Sequence, residues 1–322
     1  MNVVSLGEIL IQLNPINKGP LRHVNLFERH IAGSEGTVMI GMSRLGFSTE
    51  FLTAVGDDEF GKCIIATLNS EKVGTNFVRI KPYPTGVYFL QRGYPIPEKT
   101  DVLYYRKGSA FSVFSPEDID PECFKDAVLF HTSGITPALS DSCRLATLRA
   151  FELAKEYGIK ISFDTNIRRK LLPTAETAMK ISDDFIRDAQ ILITGQGDLE
   201  FLFPEQKLEA QIGRLMDLAS NAELIVVKMG KEGSMAYKGK DKIYVPAYKV
   251  ETVDELGAGD AFDATFLSSI LLGKSLEESL VYANAAGAIV ASSIGDFEAS
   301  PSWKDLELFI SFQKEGERRL IR

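Results

Sequence analysis

AQILITG (189–195) and ELIVVKMG (223–230) are almost wholly apolar until each closes on glycine. A strand with one face in water alternates apolar and polar residues, whereas a strand buried on both faces stays apolar throughout, as in a parallel sheet covered by helices. The same grammar continues outward. AVLFHTSG (127–134) and IKISFDTN (159–166) read as strands, followed by helical spacing over 140–157 and then to about 188. Towards the N-terminus, VVSLGEILIQL reads as one strand, GTVMIGMSRLGF as a helix, EFLTAVG as a short apolar run ending at Gly56, and DEFGKCIIATLNSEKV as a helix. GSMAYKG and KIYVPAY form a late hairpin; residues 258 to about 293 are helical, and a terminal helix lies near 303–318. Strands alternating with helices predict an α/β fold with a mostly parallel central sheet flanked by helices on both faces.

One segment departs from this alternation. TGVYFLQRGYPI and DVLYYRKGSA are aromatic and β-branched runs separated by a Gly/Pro turn, which suits an antiparallel hairpin. Such a hairpin does not belong in a parallel sheet and predicts a separate small β layer. No repeat, low-complexity segment or linker divides the chain. One α/β domain over residues 1–322 with a β flap is the economical reading, and 322 residues suffice to bury a large core.

Composition narrows the function. A formal net charge of −8 argues against a general nucleic-acid binder, which carries basic surface for phosphates. Cys63, Cys123 and Cys143 show no C-x-x-C spacing, and His23, His30 and His131 are scattered, so neither a zinc site nor a disulfide framework is readable. No signal peptide and no apolar run of about 20 residues is present, which predicts no membrane segment and a cytoplasmic small-molecule protein.

The chemistry concentrates at ELGAGDAFDATFLSSILLG (255–273). Gly257 and Gly259 allow backbone angles closed to other residues and let a ligand approach the main chain. A helix beginning there points unpaired N–H groups and partial positive charge outward, a suitable place for an anion. Asp260 is a candidate base, or else merely a helix-favouring first-turn acid. FDTNIR (163–168), VKMGKEG (227–233) and SIGDFEASP (293–301) also end apolar segments with polar or glycine residues, so these tails can converge beyond the carboxyl ends of the strands. Neither GxxxxGK[S/T] nor GxGxxG occurs, against a P-loop enzyme or a dinucleotide-binding dehydrogenase.

DELGAGDAFDATF resembles the C-terminal signature of the ribokinase-like (PfkB) carbohydrate kinases, commonly D-T-x-G-A-G-D-x-F. The resemblance extends along nearly the whole chain, through the N-terminal GE strand, AVGDDEFG (54–61), KMGKEG and the closing helices. Within the family it is greatest to members acting on 2-keto-3-deoxygluconate, carried by GEILIQLNPINKGPLRHVNLFERHIAGSE (7–35), TGVYFLQRGYPIP (85–97), YYRKGSAFS (104–112) and DTNIRRKL (164–171). It implies a ribokinase-like fold with a β lid drawn from about 8–32 and 84–108, and a kinase of a sugar acid that uses ATP and Mg²⁺. A neutral-sugar kinase is the alternative within the family. A non-catalytic sugar-acid sensor and an NAD-dependent oxidoreductase are the alternatives outside it.

The resemblance also distributes roles. It makes Asp260 the general base, with Gly257, Ala258 and Gly259 as the anion hole. It draws the acceptor pocket from Gly33, Tyr88, Tyr104, Arg106, Arg168 and Asp296, where Arg106 or Arg168 would fix a carboxylate. It places Lys228, Gly230, Lys231 and Gly233 near the phosphates and ribose, Asn284 near the adenine, and Asp164 and Asn166 also at the nucleotide. Each has a plainer reading: sheet packing for the tyrosines, an Arg168–Asp164 ion pair, a turn acid at 296, a solvated Lys231, a helix-face amide at 284. Three departures stand out. AGSEGT replaces the family's Gly-Gly with nearby Asn, Leu256 replaces its Thr, and TGQGDLEFLF lacks a clean N-x-x-E, with Asp198 or Glu200 as stand-ins, so no direct metal ligand is assigned. A lid with apolar residues also predicts pairing with a second copy, a homo-oligomer.

Overall fold

The computed structural model describes residues 1–96, 99–204 and 207–320, with side chains described as far as Lys314. From the N-terminus, β1 (Asn2–Leu6) and β2 (Leu10–Pro15) are followed by β3 (Phe27–Ala32), α1 (Ser34–Arg44), β4 (Ser48–Leu52), β5 (Ala54–Gly56), α2 (Glu59–Ser70), β6 (Val73–Gly74), β7 (Arg79–Lys81), β8 (Val87–Arg92) and β9 (Thr100–Tyr105). The regular part then runs β10 (Ala127–Ser133), α3 (Ile135–Ala138), α4 (Asp141–Glu156), β11 (Lys160–Asp164), α5 (Ala175–Asp188), β12 (Ile191–Gly195), α6 (Gln196–Leu202), α7 (Leu208–Leu218) and β13 (Leu224–Lys228). A hairpin, β14 (Ser234–Lys238) and β15 (Asp241–Val245), precedes three helices, α8 (Ala258–Leu271), α9 (Leu276–Ala291) and α10 (Trp303–Leu320).

Among the described residues the main sheet has nine strands in the order β15-β14-β13-β12-β11-β10-β1-β4-β6. It is parallel from β13 to β6, and the late hairpin adds an antiparallel edge. The uninterrupted apolar runs have a direct cause. Val4, Phe130, Phe163, Leu192, Ile225 and Val227 join one core, with Phe151 of α4, Phe185 of α5 and Leu215 of α7. Their neighbours Val3, Leu129, Ile191, Ile193, Leu224 and Val226 join a second core on the other face, with Met39 of α1, Phe266 of α8 and Ala286 of α9. Both faces are buried, so these strands lack the polar alternation of a half-exposed strand, and their few polar members, such as Ser5, His131 and Ser162, are buried too.

VVSLGEILIQL, expected as one strand, is two strands in two sheets. Gly7 N–H closes the main-sheet ladder on Leu52 O at 3.2 Å, the chain turns through Glu8 and Ile9, and β2 enters a smaller sheet of order β3-β2-β8-β9. That sheet is antiparallel except for the parallel β2–β8 pair. It lies within the two stretches expected to form the lid, of which residues 97–98 lie outside the described residues. The stretch expected to be helical from 258 to about 293 consists of two helices, because Ser275 caps α9 with a reciprocal Glu278 box after the break at Leu272–Lys274.

Candidate active site

Register aligns the carboxyl ends of the strands. Ser133 of β10 lies opposite Asp164 of β11, Asp164 opposite Ile193 of β12, and Gly195 opposite Lys228 of β13. The N-termini of α1 and α8 meet above this edge. No side chain caps either helix, whereas α2, α4, α5 and α9 are capped by Asp58, Ser140, Thr174 and Ser275. Uncapped first-turn N–H groups are what an anion site requires. At the head of α8, Gly257 is left-handed at φ 72°, and a Cβ there would lie 1.9 Å from Asp296 O. Only glycine fits this turn. At the head of α1, a Cβ on Gly33 would lie 2.3 Å from Glu8 O, so the helix start presses against the β1–β2 turn.

Asp260 projects from the first turn of α8 and is half-buried. Its Oδ1 accepts from Ser34 Oγ at 2.5 Å, and Ser34 Oγ accepts from Asn166 Nδ2 at 2.8 Å. Burial raises the Asp260 pKa above the ordinary carboxylate value, opposed by the Ser34 hydrogen bond and by the charges of Lys228 and Arg168. A raised pKa strengthens the group as a base. Asp296 is buried, accepts from Thr37 Oγ1 at 3.2 Å, and is raised to about 8 by burial and then by the charge of Asp260. Asp296 is therefore mostly protonated near neutrality, so that it adds little negative charge beside Asp260.

The expected acceptor residues converge. Gly33, Tyr88, Tyr104, Arg106, Arg168 and Asp296 line one cavity with Glu8, Leu10, Ser34, Leu256, Gly257 and Asp260. Tyr88 and Tyr104 face each other across the β8–β9 pair at 5.6 Å between ring centroids, and Tyr88 is buried, so they serve sheet packing and cavity wall together. The two arginines are not equivalent. Arg106 donates from Nε to Glu8 Oε2 at 2.6 Å, also bonds it through Nη2, and leans on the Tyr104 ring. Arg168 is exposed, and its side chain makes no hydrogen bond or ion pair among the described residues, its carbonyl alone accepting from Leu171 and Leu172 N–H. Its plainer reading, an ion pair with Asp164, is replaced: Asp164 holds Lys228 instead.

A second cavity, of about 550 Å³, lies across the turn. Lys228, Gly230, Lys231, Gly233, Ala258, Gly259 and Asn284 line it, which brings most of the expected nucleotide residues together. Asn284 is largely committed, accepting from Ser234 Oγ at 2.9 Å and donating to Val245 O and Pro246 O. Asp164 and Asn166 do not line this cavity. Asp164 Oδ2 accepts from Lys228 Nζ at 2.9 Å, while Asn166 serves Ser34 on the acceptor side.

Ser34, Glu8 and Asp263 escape a sequence reading. Ser34 follows Gly33 at a helix start, and Glu8 follows Gly7 at the strand break. Asp263 lies one helical turn after Asp260 and accepts from Lys228 Nζ with both oxygens, at 2.9 and 3.0 Å, giving a buried Asp164–Lys228–Asp263 cluster beneath the anion hole. Asp164 Oδ1 is buried without a partner. Asp198 does not reach out as a ligand: it accepts from Thr165 Oγ1 at 2.6 Å and from Ile167 N–H at 3.2 Å. Glu200 is exposed and accepts from Gln196. Among the described residues no group of three or more acidic, His or Cys side chains is disposed to hold a metal. No helix among them is long and apolar enough to cross a membrane.

The family profile described as pfkB family carbohydrate kinase matches residues 1–303. The chain is 38% identical over 309 residues to a 2-dehydro-3-deoxygluconokinase of Thermoproteus tenax, covering 95% of this chain and 93% of that protein. It is 33% identical over 310 residues to fructokinase-1 of Oryza sativa subsp. japonica, covering 93% and 94%. A solved structure from E. coli in complex with ATP and Mg²⁺ superposes with a TM-score of 0.89 at 26% identity, covering 97% of this chain and 99% of that one.

Proposed function

The chain belongs to the pfkB family of carbohydrate kinases, and from that premise we propose that it transfers the γ-phosphoryl group of ATP to the 6-hydroxyl of 2-keto-3-deoxygluconate, giving 2-keto-3-deoxy-6-phosphogluconate and ADP. The C4 epimer derived from galactonate fits the same cavity chemistry. One observation carries the reading. The 257–260 turn separates two cavities, with Gly257 and Asp260 facing one and Ala258 and Gly259 facing the other. An acceptor hydroxyl and a terminal phosphate held in the two cavities meet at that turn.

Asp260 takes the proton of the attacking hydroxyl as its oxygen bonds to the γ-phosphorus and the bond to the β–γ bridging oxygen breaks. Ser34 fixes the rotamer of Asp260, and Asn166 fixes Ser34. The first-turn N–H groups of α8 stabilise charge on the transferring phosphoryl, and Lys228 adds positive charge beneath them. Arg168, without a partner of its own, takes the sugar carboxylate by a charge-assisted fork. Protonated Asp296 donates a hydrogen bond without adding charge. Mg²⁺ bound with ATP would supply charge neutralisation on the phosphates; the unpartnered Asp164 Oδ1, beside the cavity-lining Lys228, would help to hold it, in keeping with a site of few protein ligands.

The lid sheet covers the sugar side and excludes competing water. Its outer face carries an edge-to-face row, Phe27–Phe89–Tyr105, with Tyr105 exposed, which supports association with a second copy. Cys63, Cys123 and Cys143 are all unpaired, as suits a reducing cytoplasm. The test is a panel of sugars and sugar acids with Mg-ATP, followed by ADP release, with the phosphate located on the product. Turnover of 2-keto-3-deoxygluconate well above fructose and ribose is expected. Preference for a neutral sugar would transfer the reading to the fructokinase side of the family.

A further inference from the structure

The inner face of the lid reaches past the cavity and grips the loops that carry the active-site groups. On β8, Arg92 lies on the same face as Tyr88 and Leu90. It donates from Nε to Asn14 Oδ1 of β2 at 2.8 Å and from Nη2 to Asp254 Oδ2 at 2.5 Å. Asp254 is buried, and its other oxygen accepts from Leu256 N–H at 3.2 Å, one residue before Gly257. Leu256 packs against the lid cluster of Leu10, Tyr88 and Leu90. The contact is therefore an apolar seat with an ion pair beside it, the side chains of Arg92 and Asp254 being 17% and 4% exposed.

Two further strands repeat the arrangement. His30 of β3 meets Glu298 at 2.6 Å, and Glu298 Oε2 accepts from the N–H of Asp296 at 2.8 Å. Lys170, two residues after Arg168, bonds Asp101 Oδ1 and Val102 O of β9 at 2.5 and 2.6 Å. Each clamp ends on a loop holding one active-site element: the anion hole, Asp296 or Arg168. The Lys170 pair is exposed and contributes little. The Arg92 pair is the one shielded from solvent.

We propose that Arg92 is a positioning residue that acts through Asp254. It fastens the lid to the loop entering the anion hole, so that the acceptor cavity is closed and water-free when the terminal phosphate is attacked. This rests on the kinase reading above. The nucleotide cavity lies on the far side of the 257–260 turn; no clamp side chain lines it, and Thr252 and Glu255, which do, flank a segment held to α9 by the N–H groups of Val253 and Asp254 on Ala291 O at 2.8 and 3.2 Å, bonds that do not involve Arg92. Loosening Arg92 lowers the population of the closed form and weakens apparent sugar affinity in proportion, leaving nucleotide affinity alone. It also admits water, whose oxygen can bond to the γ-phosphorus as the bond to ADP breaks, with a proton passing to Asp260 and ADP and phosphate as products.

The experiment compares Arg92→Gln, Arg92→Lys and Arg92→Gln/Asp254→Asn with wild type. In Arg92→Gln the KM for the sugar acid rises about tenfold, in the range of coupling between sites, while the KM for ATP stays within about twofold. ADP release without acceptor rises relative to transfer, Arg92→Lys restores part of the loss, and the double variant is no worse than the single one. An equal change in both KM values, an unchanged hydrolysis-to-transfer ratio, or additive losses in the double variant would overturn the proposal. Amide hydrogen exchange over residues 87–92 and 100–105 of the ligand-free protein reads the clamp without any substrate. Faster exchange in Arg92→Gln supports it, and unchanged exchange overturns it. Should wild type phosphorylate no sugar acid, the kinase reading fails while the exchange result still decides the clamp.

Discussion

Gly257→Ala is the substitution whose consequence the structure specifies most fully. The residue sits at φ 72°, where an L side chain costs about 1–2 kcal/mol. The new methyl would also lie 1.9 Å from Asp296 O, a backbone atom that no rotamer change can move away. Restoring ordinary contact shifts the 257–260 turn or the 295–297 loop by about 1 Å, a misplacement that costs about 10²-fold in rate when it falls on reacting groups. Together with the backbone strain, a loss of about 2–4 kcal/mol of stability follows, read as a fall in Tm of roughly 3–6 °C. Steady-state kinetics at saturating sugar acid should show kcat down about 10²–10³-fold with the KM for ATP within a few-fold, as expected when a stabiliser of the transition state is displaced. Gly259→Ala is the control. Its methyl would lie 3.7 Å from Lys228 Nζ, an ordinary contact, so the fold keeps its Tm or gains slightly from helix propensity while turnover falls because the methyl faces the nucleotide cavity. A folded Gly257→Ala enzyme with a kcat within about threefold of wild type would refute the anion-hole assignment.

Further outcomes follow from the same site. Asp296 is raised to about 8 with its protonated form facing the sugar, so as pH rises through that value a second negative charge develops beside Asp260 and the KM for the sugar acid climbs. Asp296→Asn, neutral at every pH, should flatten that alkaline rise in a pH profile of kcat/KM. On the acid side the ionised form of Asp260 is the active one. Burial raises its pKa, so activity falls with decreasing pH above the range of an ordinary carboxylate. Arg168→Ala should raise the KM for sugar acids about 10–100-fold, the worth of a charged hydrogen bond, with little effect on neutral sugars and on Tm. Arg106→Ala instead strands Glu8, buried and ion-paired, and should cost about 3–5 kcal/mol in a denaturant melt.

That last contrast shows where sequence reading reaches its limit. The strands β12 and β13 were legible because burial on both faces leaves a nearly unbroken apolar run, β10 and β11 because shorter apolar runs alternate with helical spacing, and the cavity residues because their stretches resemble those of a known family. The break between β1 and β2 was not legible, since Val3–Leu6 and Leu10–Leu13 are each three-quarters apolar on either side of Gly7 and nothing local says that they enter different sheets. Arg106 and Arg168 look equally available in sequence; only the fold brings Glu8 onto one of them and leaves the other on the cavity wall with Asp260. Ser34, more than 200 residues from Asp260, is fixed as its partner by the meeting of two uncapped helices. Long-range pairings of this kind depend on how elements pack, and no periodicity records them.

The account stands on Asp260 as the base at a turn shared by two cavities. The most direct test is single-turnover phosphoryl transfer by Asp260→Asn, with ATP and 2-keto-3-deoxygluconate both bound before the reaction starts. The expected result is binding of both ligands within a few-fold of wild type and a transfer step slowed about 10²–10⁴-fold. A transfer rate close to wild type in that variant would contradict it.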